Sequence, residues 1–571
     1  DGIFPSNPFT ESNPLQTAAL MSNDEDVWRL FGSATLRADL FTSDEHSLRF
    51  ISTGGADFFR QENDLLFPAE LQFEANSPLV GTSLLANGDN LNLNLNGNLV
   101  HTWARGDFTA TTSAGIQYED RDLTVARVVS QNLIAGQDGI DQATAIAVFE
   151  NRQRIREVGV YVQEELNLLD ERLTLTGSVR ADRSSANGED EEYFVYPKAA
   201  ASYRVPWLPP HVDDLKLRVA YGETGNLPLY GQRFVTLNAG NNIGGAPGLG
   251  VFGTSTIRGS ESIQPERERE IEGGFDATFF DERASLEFTY YHQNITDLLL
   301  SRSIAPGSGF TQEIFNGGEL TTSGFEVALA VTPIQQDNLT WISRTTFYRT
   351  RSEISELPVP SFVPQGFGFG SAALGQFFIE EGESATQIIG PNAGVLEVLG
   401  DATPDFKMGF FNEFRFGPLS LYGLVDWQEG GNIINLTTLL YDANGVSEDY
   451  ELPAGVTTPR AIPDCNPNCS GLERISGFGT YQQQYIEDAS FVKLRELALS
   501  YALPQQVVGR LWNRVQDARI TLSGRNLVTW SDYRGLDPEV SNFGNQQIGR
   551  NFDVAPFPPS RSFWLSFNLE F

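Results

Sequence analysis

The sequence predicts an all-β fold whose antiparallel strands cross a membrane as a barrel with long extracellular loops, and three observations carry that expectation. First, the chain ends in a strand whose positions Phe563, Leu565, Phe567, Leu569 and Phe571 are apolar, while Trp564, Ser566, Asn568 and Glu570 alternate with them. Alternation at period two marks a strand wetted on one face only. Second, Leu91, Leu93, Leu95 and Leu99 alternate with Asn92, Asn94, Asn96 and Asn98, which suits acyl chains on one side and a watery lumen on the other. Third, no stretch approaches the roughly 18 apolar residues of a membrane helix, so helical spans are excluded while a barrel is not.

At 571 residues the chain exceeds an ordinary single domain, yet one closed transmembrane sheet uses that length. Its 40% hydrophobic content and mean hydropathy of -0.24 are compatible, because a barrel shows only alternate residues to lipid. The terminal residues Phe563, Leu565, Phe567, Leu569 and Phe571 resemble the signal read by the barrel-assembly machinery of bacterial outer membranes. This implies that machinery and outer-membrane lipid as partners.

Hairpins follow along the chain. Val158 to Leu168 turns at Asp170 and Glu171 into Leu173 to Asp182, and Ile271 to Phe280 turns at Asp281 and Glu282 into Arg283 to Tyr291. Tyr193 to Val205 leads through a proline-rich turn into Leu215 to Tyr221. Further strands are expected over Val27–Phe41, Leu48–Phe59, Leu91–Trp103, Phe108–Val125, Thr322–Thr332, Leu339–Arg351, Asp405–Phe416, Leu419–Trp427, Phe491–Tyr501 and Ala518–Trp530. Asn226 to Arg267, Tyr348 to Asp405 and Glu429 to Asp488 are long and rich in turn residues, as extracellular loops are. The count is about 17 strands, and bacterial single-chain barrels have an even number. With Phe571 in the periplasm, the parity leads to the expectation that residues 1–571 are the C-terminal portion of a longer barrel, preceded by a plug and the first strands.

Asp and Glu number 74 against 39 Lys and Arg, a formal charge of -35, which argues against a nucleic-acid partner. The acidic runs Asn187 to Glu192 and Glu380 to Glu383 read as solvated loop charge and lack the ligand spacing of a calcium loop. The only cysteines, Cys465 and Cys469, flank an Asn-Pro-Asn turn. With no third thiol for a zinc site, they are expected to form a small loop disulfide. His46, His101, His211 and His292 are dispersed, without a His-Glu-x-x-His arrangement. No Gly-x-Ser-x-Gly elbow occurs, and Gly366 to Gly370 lacks the context of a phosphate loop. No enzyme and no cofactor is expected.

Several segments resemble one family, the SusC/RagA-like TonB-dependent outer-membrane transporters, in the order that family shows. They are Leu217-Arg-Val-Ala-Tyr-Gly-Glu-Thr-Gly-Asn226, the Ile263 to Asp276 stretch, Phe280 to Tyr291, Asn316-Gly-Gly to Glu326, and Pro404 to Phe410 with Trp427 to Asn432. Ala489-Ser-Phe-Val-Lys-Leu-Arg495, Leu499 to Pro504, Gly524-Arg-Asn-Leu527, Gly535-Leu-Asp-Pro-Glu539 and the Pro558 to Phe571 ending complete the set. The match runs from Val158 to Phe571; the first 150 residues share only the pattern.

The resemblance implies import of large nutrients, oligosaccharides or peptides, through a barrel of about 22 strands closed by a plug. It also implies TonB as the energy source, reached through a missing N-terminal region, and a SusD-like lipoprotein as lid. No plug or TonB-contacting segment is visible. Candidate substrate contacts are Tyr230, Phe367, Phe369, Phe377 and Trp427, each of which could instead pack a loop or sit in an interfacial aromatic girdle. The alternative from another class is a structural or adhesive barrel with acidic loops and no active transport.

Overall fold

The computed structural model describes every residue except 1–3, 8–10, 135, 236–237, 240–248, 251–256, 365–370, 512–514, 543–550, 558 and 571. The terminal Phe571 of the expected assembly signal therefore lies outside the described residues. The chain groups into two units, Asp1–Ala199 with Thr224–Glu266 and Leu299–Asn316, and Ala200–Glu223 with Arg267–Leu298 and Gly317–Phe571.

In the first unit the strands Ser22–Thr42, His46–Phe67, Thr82–Arg105, Phe108–Leu133, Ala143–Leu168 and Leu173–Ser184 each pair antiparallel with the next. A one-residue slip would turn every side chain to the other face, so the register decides what each face presents. Leu99 stands opposite Phe50 and Ala114, and Leu95 opposite Gly54 and Tyr118. The leucines thus share one face with Ile116, Val160, Val162 and Val179. The asparagines share the other with Gln117, Glu119, Arg121 and Glu157. There the Tyr161 hydroxyl donates to Asn98 at 2.7 Å. Its ring crosses Gly115, where a Cβ would come within 2.5 Å of it, so glycine makes room for the tyrosine.

These strands outrun the alternation that predicted them: Leu48–Phe59 extends to His46–Phe67, and Val158–Leu168 begins at Ala143. The added segments carry polar residues on both faces, as in Glu150 to Arg156, and so give no period-two signal. Backbone pairing continues where hydropathy contrast ends. The turn residues Leu169, Asp170 and Glu171 have φ of 57°, 56° and 63°. Left-handed turns of this kind match the right-handed twist of the strands they join.

In the second unit Glu266–Phe279, Ala284–Thr296, Glu319–Gln336, Leu339–Glu356, Phe406–Phe416, Leu419–Glu429, Phe491–Ala502, Asp517–Trp530 and Ser562–Glu570 form a second consecutive antiparallel ladder. Its register puts Phe275, Leu286 and Phe288 on one face with Phe347, Phe414, Leu421, Leu499 and Leu522. Phe563, Leu565, Phe567 and Leu569 lie on that same face. Aromatic rings run across six strands of this face, Phe275 on Phe288, then Phe325, Phe347, Phe406 and Trp427, with successive centroids 5.0 to 6.4 Å apart. Neither ladder closes into a barrel on its own.

The apolar face carries a consequence that stability measurements can read. Phe563, Leu565, Phe567 and Leu569 are 72%, 61%, 64% and 42% exposed, a contiguous apolar patch that an apolar medium makes favourable. Leu565→Arg should cost about 2–4 kcal/mol when unfolding from lipid vesicles is titrated with denaturant. Ser566→Arg on the opposite face should cost far less. Equal losses would contradict the assignment of faces.

Candidate functional site

The strands of the second unit carry a cavity of 1060 Å³ on the face opposite the aromatic rings. Glu268, Glu270 and Glu272 line it from one strand, because residues two apart point the same way, and Tyr291, Glu326 and Lys407 line it from the neighbouring strands. Loop residues Thr386, Thr403 and Glu539 complete the wall. The surface is polar and acidic, with tyrosine hydroxyls and carboxylates presented to one space.

The loops above it are folded. Helices Leu436–Ala443 and Gly471–Ser476 and the short strands Gln376–Phe377, Gln387–Asn392, Asn432–Asn435, Ile486–Asp488 and Phe552–Asp553 replace the irregular loops expected there. Phe377, Ile388, Ile434, Leu436, Leu439, Tyr485 and Phe552, drawn from three different loops, bury one shared core. Two helix starts are legible in the sequence: Asn435 accepts from the Thr438 N–H at 2.9 Å, and Ser470 with Glu473 forms a reciprocal capping box.

A buried ionic cluster braces this core. Arg474, 1% exposed, donates two hydrogen bonds to Asp442, both at 2.8 Å, and two more to Asp449 at 2.7 and 2.8 Å. The Tyr485 hydroxyl also donates to Asp442 at 3.1 Å. Burial, and then Asp442, push that phenol well above its ordinary range. Beside it, hydrogen bonds from Arg460 and then from the Ser470 N–H hold Glu473 down at about 2.

A second cluster ties loop to strand. Lys493 donates to Asp537 at 2.6 Å and to Glu539 at 2.5 Å, while Arg495 bridges Glu539 and Asp426, each at 2.7 Å. Burial raises the Glu539 carboxyl, but the bonds from Arg495 and Lys493 outweigh it and leave it below the usual range. The segments Ala489 to Arg495 and Gly535 to Glu539, singled out separately in the sequence, are the two sides of this junction.

The sequence candidates scatter. Phe377 is 1% exposed in the loop core and so packs a loop rather than meeting substrate. Trp427 lies edge-on to Phe406 in the aromatic row, away from the cavity. Tyr230 is partly exposed beside Phe234 in the first unit, and Phe367 and Phe369 lie outside the described residues. Cys465 and Cys469 are joined as a disulfide and are buried with Ile462. His46 and His101, far apart in sequence, meet with ring nitrogens 3.2 Å apart. Among the described residues no group of three or more His, Cys, Asp or Glu is placed to hold a metal. Glu268, Glu270 and Glu272 lie in the stretch that the sequence marks as a family motif; their spacing of two was the signal for a shared face.

A sheet apolar on one face, with a polar cavity on the other and packed loops above, is the arrangement of an outer-membrane β-barrel wall. The family model described as TonB dependent receptor-like, beta-barrel, matches residues 2–527. The chain belongs to that family, which places it in the bacterial outer membrane. It is similar to TonB-dependent receptors P3 and P26 of Formosa agariphila, each 26% identical, over 69% and 70% of this chain and 44% of either relative. The chain thus spans less than half the length of those relatives. The RagAB peptide transporter shares the fold, with a TM-score of 0.74, 18% identity and coverage of 97% of this chain and 63% of that one. The RagAB peptide importer in its open-open state gives 0.75 at the same identity, with 97% and 62% covered.

Three measurements address the loop core. Arg474→Ala leaves Asp442 buried without its counter-charge, so local opening of residues 430–490 should become easier by about 3–5 kcal/mol, read as lost hydrogen-exchange protection there with the strands unchanged. The Glu473 pair has a depressed folded-state pKa of about 2 against an ordinary 4.5. Its contribution is complete above the ordinary value and lost as pH falls toward the folded one. Protection of residues 460–474, corrected for intrinsic exchange, should therefore decline as pH drops from 4.5 toward 2. Alkylation without reduction should leave Cys465 and Cys469 unlabelled; labelling of both thiols would refute the bridge in the mature protein.

Proposed function

We propose that this chain forms barrel strands and substrate-receiving loops of a TonB-driven importer for large polar nutrients, oligosaccharides or peptides. The observation that carries the reading is the 1060 Å³ polar cavity on the face of the strands opposite the apolar one. A cavity of that size accommodates several sugar or amino-acid units, and its hydroxyls and carboxylates replace the water that such a ligand sheds. Five carboxylates, of Glu268, Glu270, Glu272, Glu326 and Glu539, face Arg218 and Lys407 across it, which disfavours strongly anionic cargo. The likeness to the RagAB peptide importer supports peptides as one cargo class.

In this reading the chain is the C-terminal portion of a closed barrel of about 22 strands. TonB engages a plug region outside the chain, and a SusD-like lipoprotein covers the extracellular loops. Transport involves no covalent step: loops and cavity bind, the plug moves, and the barrel supplies the path.

Uptake by cells expressing the complete protein tests the proposal. Import of labelled oligosaccharide or peptide should stop when TonB is deleted. Thr322→Trp, which fills the cavity wall, should lower uptake several-fold at unchanged membrane level, whereas Leu329→Trp on the apolar face should not. Uptake that persists without TonB, or that ignores the cavity substitution, would overturn it.

A further inference from the structure

In the first unit, the apolar face ends in charge. Going up the strand Ala143–Leu168 from its turn, Val162, Val160 and Val158 are followed on the same face by Arg156, Arg154 and Arg152. The register sets Arg183 opposite Val158, Asp120 opposite Arg156, and Asp122 opposite Arg154. Arg154 grips Asp120 through two hydrogen bonds of 2.9 and 2.7 Å, with the Tyr118 hydroxyl on the same carboxylate at 3.2 Å. Arg156 reaches Asp120 only at 3.5 Å. Arg183 makes no ion pair among the described residues and instead lies over the Tyr193 ring, 5.4 Å from its centroid. Arg152 bonds Glu150. Four guanidinium groups thus face three carboxylates on one continuous patch, in a chain whose formal charge is -35.

The height of this patch follows from strand geometry. Arg183 lies ten residues above Leu173 and Arg156 twelve above Leu168. At about 3.3 Å per residue and a tilt near 40°, that is roughly 25–30 Å above the turns, the thickness of the outer-membrane hydrocarbon. In the second unit Arg269 and Arg349, also on the apolar face, are each ten residues from their own turns at Phe279 and Leu339. Arginine side chains therefore recur where acyl chains give way to headgroups.

We propose that Arg154, Arg156 and Arg183 form a binding site for the phosphate of a lipid of the outer leaflet, whose acyl chains lie along Val158, Val160, Val162, Ile116 and Leu95. The inference rests on the membrane-crossing assignment of these strands. Guanidinium is the side chain best matched to phosphate, since its planar donors pair two oxygens at once. Asp120 holds Arg154 in place rather than saturating the patch, and Arg183, free of carboxylate partners, supplies the open donors. The lipid source is favoured over free phosphate because the donors adjoin an apolar surface on which inorganic phosphate gains nothing.

The test uses the complete protein purified in detergent and exchanged into phosphatidylcholine vesicles doped with bisphosphorylated lipid A, with enzymatically dephosphorylated lipid A as comparison. Lipid retained after re-extraction is quantified by native mass spectrometry. Wild type should retain the phosphorylated form selectively, and inorganic phosphate at millimolar concentration should not displace it. Arg183→Gln alone, which breaks no ion pair, should weaken retention about fivefold, and adding Arg156→Gln about fivefold again. Arg29→Gln, on the opposite face and paired with Asp57, should have no effect. Equal retention by the double variant, equal loss with Arg29→Gln, or displacement by inorganic phosphate would overturn the site. Alkaline-carbonate extraction of the vesicles separates the two ideas: protein that stays in the membrane but shows no selectivity defeats only the lipid site, whereas protein that washes out defeats the membrane assignment itself.

Discussion

Inside hydrocarbon a backbone N–H has no water to turn to, so each must find a carbonyl on a neighbouring strand. The rest of this structure depends on that constraint. It fixes long antiparallel ladders with almost no irregularity, and the register then fixes the faces. In the first unit, pairing runs without a slip from Phe67 opposite Thr82 to His46 opposite Trp103, so the leucines never trade sides with the asparagines. In the second unit the few bulges, such as that between Leu424 and Val425, leave the apolar face continuous from Phe275 to Phe567.

The loops answer a different problem. Segments as long as 430–490 would cost too much entropy to order by backbone turns alone. They are ordered because side chains from three loops share one core around Phe377, Ile434, Tyr485 and Phe552. A buried Arg474 would be destabilising without partners; with Asp442 and Asp449 on its guanidinium it specifies one arrangement of the helices around it. The Lys493, Asp537, Glu539 and Arg495 cluster extends that order downward, so the cavity beneath is walled by residues that do not need a ligand to position them.

Charge is sorted by face and by height. Carboxylates gather in the cavity and among the loops, while arginines recur toward the end of the apolar face. The same alternation of residues produces both outcomes, since Glu268 and Arg269 are neighbours in sequence but point to opposite sides of the sheet. One strand thereby presents carboxylates to the cavity and an arginine to the apolar face.

What the sequence by itself determined is the part governed by local period: the strands, their apolar faces, the hairpin turns at Asp170 and Asp281, and the family, whose motifs lie in order along the chain. Period two survives without tertiary context because each residue's side is set by its own backbone. Strand lengths beyond the apolar zone, the helices at Leu436 and Gly471, the shared loop core and the cavity were decided only by tertiary structure. Phe377 and Trp427 show why: as aromatic residues near loops they look alike in sequence, yet one is sealed in the loop core and the other joins a row of rings on the apolar face. Which of the two a residue becomes depends on partners tens to hundreds of positions away, such as Phe552 for Phe377, and no local pattern encodes that distance.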